Sequence, residues 1–191
     1  MLKNFKDAQR AVGFYGGERI KGDFYSTPPI AVEGLLSNES FGETILEPCC
    51  GNGSISEYLI GRGYKVISRD LYDWQYGETG KDFLKEPVID CDAIITNPPF
   101  KLSVEFTIKA LECTKAKSGK VAMLNRIQWL EGIKRKKLFE NHPLSRVLIF
   151  SKRLPRFNIF GYEGKTTTSL IGFAWFVFDW NYVGEPKLGW I

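Results

Sequence analysis

The 191-residue chain is 43% hydrophobic and 25% charged, a composition ordinary for a soluble globular protein that argues against disorder and suits one domain burying about 70% of its unfolded surface. Its net charge is a modest +4, no apolar run reaches the roughly 18 residues of a membrane span, and the Lys- and Gly-rich N-terminus lacks a signal-peptide core. Four cysteines (Cys49, Cys50, Cys91, Cys113) form no C-x-x-C pair; they read as small buried hydrophobes in a reducing, cytoplasmic compartment, with no metal or disulfide use.

Short apolar runs of strand type alternate with longer helical patterns, which predicts an α/β fold with a parallel sheet and helices on its faces. In chain order, a helix is expected over 30–37 and a strand over 44–46. That strand runs into EPCCGNGS, where Glu47 ends it and Gly51 and Gly53 open into a helix over 55–61. Ser54 and Glu57 have the spacing of a capping box, and Gly61 and Gly63 supply the stop. The glycines allow positive φ and a close backbone approach to a ligand. The full G-x-G-x-x-G of a dinucleotide site is incomplete here, and the Glu47 carboxylate would repel a phosphate. A cationic or zwitterionic nucleoside-like ligand fits better, and a plain strand-to-helix turn is the other reading.

The next strand, 65–69, ends at Asp70, in the position of an acid that binds ribose hydroxyls, with a loop cap as the alternative. GKDFL (80–84) then sets Asp82 and Phe83 where a carboxylate can accept from an adenine amino group and a ring can pack on its face. A strand over 93–96 delivers Asn97-Pro98-Pro99-Phe100, and a helix over 104–115 and a strand over 120–124 follow. Gln128 and Trp129 come next, at a loop facing the substrate, with Trp129 in the core as the competing reading.

A helix over 132–141 and a strand over 145–150 complete a segment, 133–156, that carries +7 while the rest of the chain sums to −3. Lys134, Arg135, Lys136, Lys152, Arg153 and Arg156 belong to it, as do Lys137 and Arg146. Such a strip favours a polyanion partner; otherwise it is a solvated helix face and a strand edge guarded by lysines. His142, followed by Pro143, reads as a helix-end residue and not a catalytic base. Residues 151–168 are Gly-, Thr- and Arg-rich without helical pattern, a loop of functional length. The strand over 169–178 should therefore run antiparallel to its neighbour, at the sheet edge.

ILEPCCGNG followed by ITNPPF, with DFYSTPP (23–29) upstream, resembles the S-adenosylmethionine-dependent N6-adenine DNA methyltransferases in their gamma-like motif order. The resemblance covers 23–130, and the chain is similar to the small, phage-borne members. It implies a Rossmann-like class I methyltransferase sheet, mostly parallel with an antiparallel last strand, S-adenosylmethionine as cofactor and DNA as partner. By the same resemblance Glu47, with Pro48, lies near the methionine part of the cofactor, and Asp70, with Leu71, at its ribose. Asp82 and Phe83 match the pair at its adenine, while Tyr25, Thr27 and Pro28 match the element that closes over it. Asn97, Pro98, Pro99 and Phe100 match the catalytic tetrapeptide. The Cys49–Cys50 pair stands where the family varies.

The chemistry accounts for those residue types. An adenine amino nitrogen is a poor nucleophile because its lone pair is delocalised into the ring. The Asn97 side-chain oxygen and the Pro98 carbonyl can each accept one of its N–H groups, drawing the nitrogen toward tetrahedral geometry. Proline fixes φ, so these acceptors need little reorganisation. Phe100 would stack on the target base for roughly 1–3 kcal/mol, against the few kcal/mol needed to flip it out. No covalent intermediate is required, hence no Ser, Cys or His nucleophile.

One domain over 1–191 is expected, with an N-terminal segment 1–40, a cofactor and catalytic core 41–130, and a basic C-terminal part 131–191. That leaves little room for a separate target-recognition region. The expectation is a short or relaxed target, or recognition by the 151–168 loop, a homodimer partner or a separate specificity subunit. An RNA base or a protein glutamine as substrate, and a non-catalytic nucleic-acid binder, are the alternatives. Intact Glu47, Asp70, Asp82 and Asn97 weigh against the last.

Overall fold

The computed structural model describes residues 25–155, 169 and 171–191. The chain passes through α1 (Pro29–Leu36), β1 (Thr44–Glu47), α2 (Ser54–Gly61), β2 (Lys65–Ser68) and β3 (Ala93–Thr96). It continues through α3 (Ser103–Lys115), β4 (Lys120–Arg126), α4 (Ile133–Asn141), β5 (Leu144–Ile149), β6 (Phe173–Asp179) and β7 (Lys187–Trp190). One seven-stranded sheet results, in the order β2-β1-β3-β4-β6-β5-β7. All neighbours pair in parallel except β6, which is antiparallel to both β4 and β5.

Strand side chains alternate between faces, so each strand feeds two cores. On one face Val121, Met123, Ala174, Phe176 and Phe178 meet α3 and α4 through Phe106, Leu111 and Leu138. On the other, Ala122, Leu124, Trp175 and Val177 meet α1 and α2 through Val32, Leu35, Ile55 and Leu59. Trp175, Phe176 and Phe178 are fully buried, which stabilises by roughly 1.5–3 kcal/mol per side chain. The Trp175 indole N–H also donates to the Ala31 carbonyl at 2.7 Å, fastening α1 to the sheet.

Two expectations are corrected. The antiparallel strand is β6, but it lies inside the sheet, and β7 takes the edge beside β5. FAWFVF, from Phe173 to Phe178, is buried at every position, and a run with no polar alternation belongs between two strands. β7 is short, largely exposed and carries Gly189, where a Cβ would come within 2.9 Å of Leu148 Cδ2. The capping box at Ser54 does not form either. Gly53 is the N-cap, left-handed at φ 81°, and Ser54 is already the first helical residue. The Ser54 hydroxyl instead bonds Asn52 and Ser26, each at 2.6 Å.

The N-terminal edge of the sheet is closed by charges. Glu39 takes Lys120 at 2.8 Å and Arg146 at 3.2 Å, and Lys120 also lies 3.6 Å from Asp179. Asp92 accepts from the Thr44 N–H at 2.9 Å and pairs with Lys117 at 3.0 Å. Among the described residues no helix is long and apolar enough to cross a membrane.

Candidate active site

The motifs converge at the opposite edge, where β1, β2, β3 and β4 end. β1 delivers Glu47, 2% exposed, whose Oε2 accepts from the Ser56 hydroxyl of α2. Burial pushes the Glu47 carboxyl well above the usual carboxylate range, and the Ser56 bonds pull the other way. Beyond it, Gly51 (φ 54°) donates its N–H to Asp70 Oδ2 at 2.9 Å. At Gly53 a Cβ would fall 2.6 Å from the Tyr76 ring, so only glycine fits this turn.

Asp70, just past β2, therefore pins the glycine turn besides facing the cavity described below. Its Oδ1 accepts from the Tyr72 N–H at 2.8 Å. Burial raises its pKa, and bonds from Tyr72, Gly51 and the Trp74 side chain oppose the rise. Asp82 receives the Leu84 N–H at 3.3 Å and Lys85 at 2.8 Å. Phe83 is buried, its ring 5.3 Å from that of Phe106.

Asn97, past the end of β3, is held from one side only. Its Nδ2 donates to Thr27 Oγ1 at 3.1 Å and to the Tyr25 carbonyl at 3.4 Å. A carbonyl can only accept, so this contact fixes which way the amide points. The Asn97 Oδ1 then has no partner among the described residues although it is buried. Next to it, Cys49 Sγ lies 2.9 Å from Thr96 Oγ1 and 3.5 Å from the Asn97 carbonyl. Burial pushes the Cys49 thiol well up, and that of Cys50 to about 12, so both stay protonated and neither is an activated nucleophile.

These groups wall a cavity of about 500 Å³, within the usual range for small-molecule sites. Glu47, Pro48, Asp70, Leu71, Asp82 and Phe83 line it, as do Asn97 and Pro99 and, bonded to Asn97, Tyr25 and Thr27. Gly51 and Gly53 are not on its wall, and Pro28 is instead the N-cap of α1. The tetrapeptide divides: Asn97 and Pro99 line the cavity, whereas Pro98 and Phe100 do not. The Phe100 ring centroid lies 6.3 Å from Tyr25, 6.1 Å from Phe173 and 4.7 Å from the Arg126 guanidinium carbon.

Sequence reasoning missed Tyr72 and Trp74, which line the cavity beside Asp70; the aromatic cluster YDWQY was the available signal. It also missed Ser56 and Arg126. Of the substrate-side candidates, Gln128 is exposed on a 3-10 turn after β4. Trp129 is in the core, 6% exposed and edge-on to Phe176 (4.8 Å) and Phe139 (5.3 Å). Lys134 and Lys136 are exposed on α4, with Lys136 3.5 Å from Glu140, and Arg135 folds back onto the Glu131 carbonyl. Lys152 and Arg153 are exposed beyond β5. Arg156, the loop residues 156–168 and the start of DFYSTPP lie outside the described residues.

No protein-family model matches the chain, and no curated protein matches it significantly. Solved structures do. The methyltransferase subunit of a type I restriction-modification system from Streptococcus thermophilus aligns with TM-score 0.59 and 18% identity, over 92% of this chain and 49% of its own. A Pyrococcus horikoshii protein provisionally named an RNA methyltransferase gives 0.62 and 17%, over 92% and 98%. A Listeria monocytogenes protein provisionally named a class I S-adenosylmethionine-dependent methyltransferase gives 0.62 and 13%, over 100% and 74%. The chain thus spans about half the length of the restriction-modification subunit. The shared feature is the fold, a Rossmann-like class I methyltransferase sheet with helices on both faces.

Proposed function

We propose that this chain is an S-adenosylmethionine-dependent methyltransferase acting on the N6 amino group of adenine in DNA. The observation that carries the reading is the Asn97 Oδ1: a buried acceptor without a partner among the described residues, on a residue that lines a cavity with three carboxylates. A buried polar atom left unpaired costs about 1–3 kcal/mol, so its persistence calls for a function.

The residues present fit the cofactor. Glu47 is held toward its neutral form by burial, and a cationic or zwitterionic ligand beside it would favour the charged carboxylate. Asp70 faces the cavity at the end of β2, the place for ribose hydroxyls, and Phe83 with Asp82 offers an apolar wall beside an acceptor. When bound, S-adenosylmethionine supplies an electrophilic methyl group.

The rest of the chemistry belongs to the chain. Asn97 Oδ1 accepts one N–H of the adenine amino group and the Pro98 carbonyl accepts the other, which localises the nitrogen lone pair. Tyr25 and Thr27 hold the Asn97 amide so that it need not reorganise during transfer. Phe100 holds the flipped base by stacking, and the basic residues of α4 and the stretch after β5 position the backbone without reading sequence.

Methyl-labelled cofactor incubated with single- and double-stranded DNA, RNA and protein extract tests the reading. N6-methyladenine in DNA, identified by mass spectrometry of nucleosides, is the expected product. Label confined to RNA or to protein glutamine moves the assignment to those substrates, and bound cofactor with no transfer overturns the enzyme.

A further inference from the structure

Arg126 is the last residue of β4, immediately beside the tetrapeptide but not on the cavity wall. Its guanidinium carbon is 4.7 Å from the Phe100 centroid. Its Nε–H is buried, and among the described residues it meets no acceptor and no carboxylate pairs with it. A guanidinium cannot shed its charge at any working pH. A ring face attracts the cation but gives the directional N–H no acceptor. The arrangement is therefore a strong anion-binding group parked on an aromatic ring.

That ring is the one on which the target base would stack. Tyr25 and Phe173 are its aromatic neighbours at 6.3 Å and 6.1 Å, and Arg126 covers a face. We propose that Arg126 is the phosphate-binding residue for the strand carrying the target base, and that its guanidinium caps Phe100 until the base takes its place. In that exchange each group gains a better partner. The flipped base receives the aromatic face, and the guanidinium turns to a backbone phosphate, which its fork of N–H donors matches. This inference rests on the nucleic-acid reading above, and names the residue that couples strand binding to base capture.

The test uses whichever nucleic acid the wild-type protein labels. For wild type, Arg126→Lys and Arg126→Gln, three quantities are measured: KM for that nucleic acid over a range of salt, cofactor affinity, and melting temperature. Arg126→Gln is expected to raise KM about ten-fold and to reduce the log KM against log salt slope by about one phosphate's worth. Cofactor affinity should stay within two-fold, and the melting temperature should not fall, because a buried N–H donor without an acceptor among the described residues has been removed. Arg126→Lys should restore the salt slope while leaving KM raised. A KM and slope unchanged in Arg126→Gln would overturn this assignment alone. A loss of cofactor affinity matching the rise in KM would do the same, as would a melting temperature lowered in both variants. If the wild-type protein labels no nucleic acid, the proposed function falls first and this assignment with it.

Discussion

Where the parallel strands begin, Glu39 gathers Lys120 and Arg146, Lys120 reaches Asp179, and Asp92 binds both Lys117 and the Thr44 N–H. Where the same strands end, Asn97 Oδ1, Asn125 Nδ2 and Arg126 Nε are buried with no partner among the described residues. One sheet thus has an edge whose charges answer each other and an edge where three buried polar atoms have no answer among the described residues. Local rules are usually broken at functional sites and satisfied elsewhere. The difference teaches where to expect stability and where to expect chemistry, and substitutions on the two edges should separate the two properties.

The largest separation should come from Asn97→Ala. Removing one preorganised hydrogen-bonding group at a reacting centre costs on the order of 10²–10³ in rate. Single-turnover methyl transfer should fall by that factor, while the melting temperature moves by less than about 4 °C, on the order of 1 kcal/mol. A fall in melting temperature comparable to the activity loss would mean that the two edges do not differ in kind.

Glu39→Ala is the converse experiment. The side chain is 8% exposed and holds two cations, so its loss should destabilise by about 1–3 kcal/mol, or roughly 3–10 °C in a thermal melt. Cofactor affinity, measured by calorimetry, should stay within two-fold. Weakened cofactor binding at an unaltered melting temperature would break the comparison from the other side.

Glu47→Gln sharpens it at a single residue. Burial raises the Glu47 pKa in the folded state above its unfolded value. The stability linked to its protonation is therefore present below the unfolded value, about 4.3, and is lost as pH rises through the raised folded value. At neutral pH the glutamine variant should melt at the same temperature or up to about 4 °C higher, on the order of 1 kcal/mol. Its melting temperature should also vary less between pH 4 and 8, and its cofactor affinity should drop. A lower melting temperature at neutral pH would show the carboxylate to be structural.

The satisfied parts of the fold were the legible ones. Apolar runs such as AIIT and KVAML announce strands through composition alone, and all six anticipated strands are present. The order of strands was harder. A long connection before β6 suggested the edge, whereas the unbroken burial of FAWFVF outweighed it and placed β6 in the middle. Within the site, residue types were readable but their orientation was not. The direction of the Asn97 amide depends on the carbonyl of Tyr25, 72 residues earlier. The cap on Phe100 comes from the last residue of another strand, and Trp129 turned inward because Phe139 and Phe176 leave room for it. Each of these is a long-range contact that no local pattern encodes.

The middle position of β6 also sets the order in which this molecule can be assembled. Arg126 aligns with Phe173, Asn125 with Ala174, and β5 meets the rest of the sheet only through β6. During synthesis at about 5–20 residues per second, β4 emerges roughly 3–10 s before β6 is complete. Throughout that interval β4 has a bare edge and β5 has no neighbour, a state prone to wrong pairing in a crowded cell. The strand that ends the wait is the one whose Phe173 lies against Phe100, so the surroundings of that ring are completed only once β6 has been made.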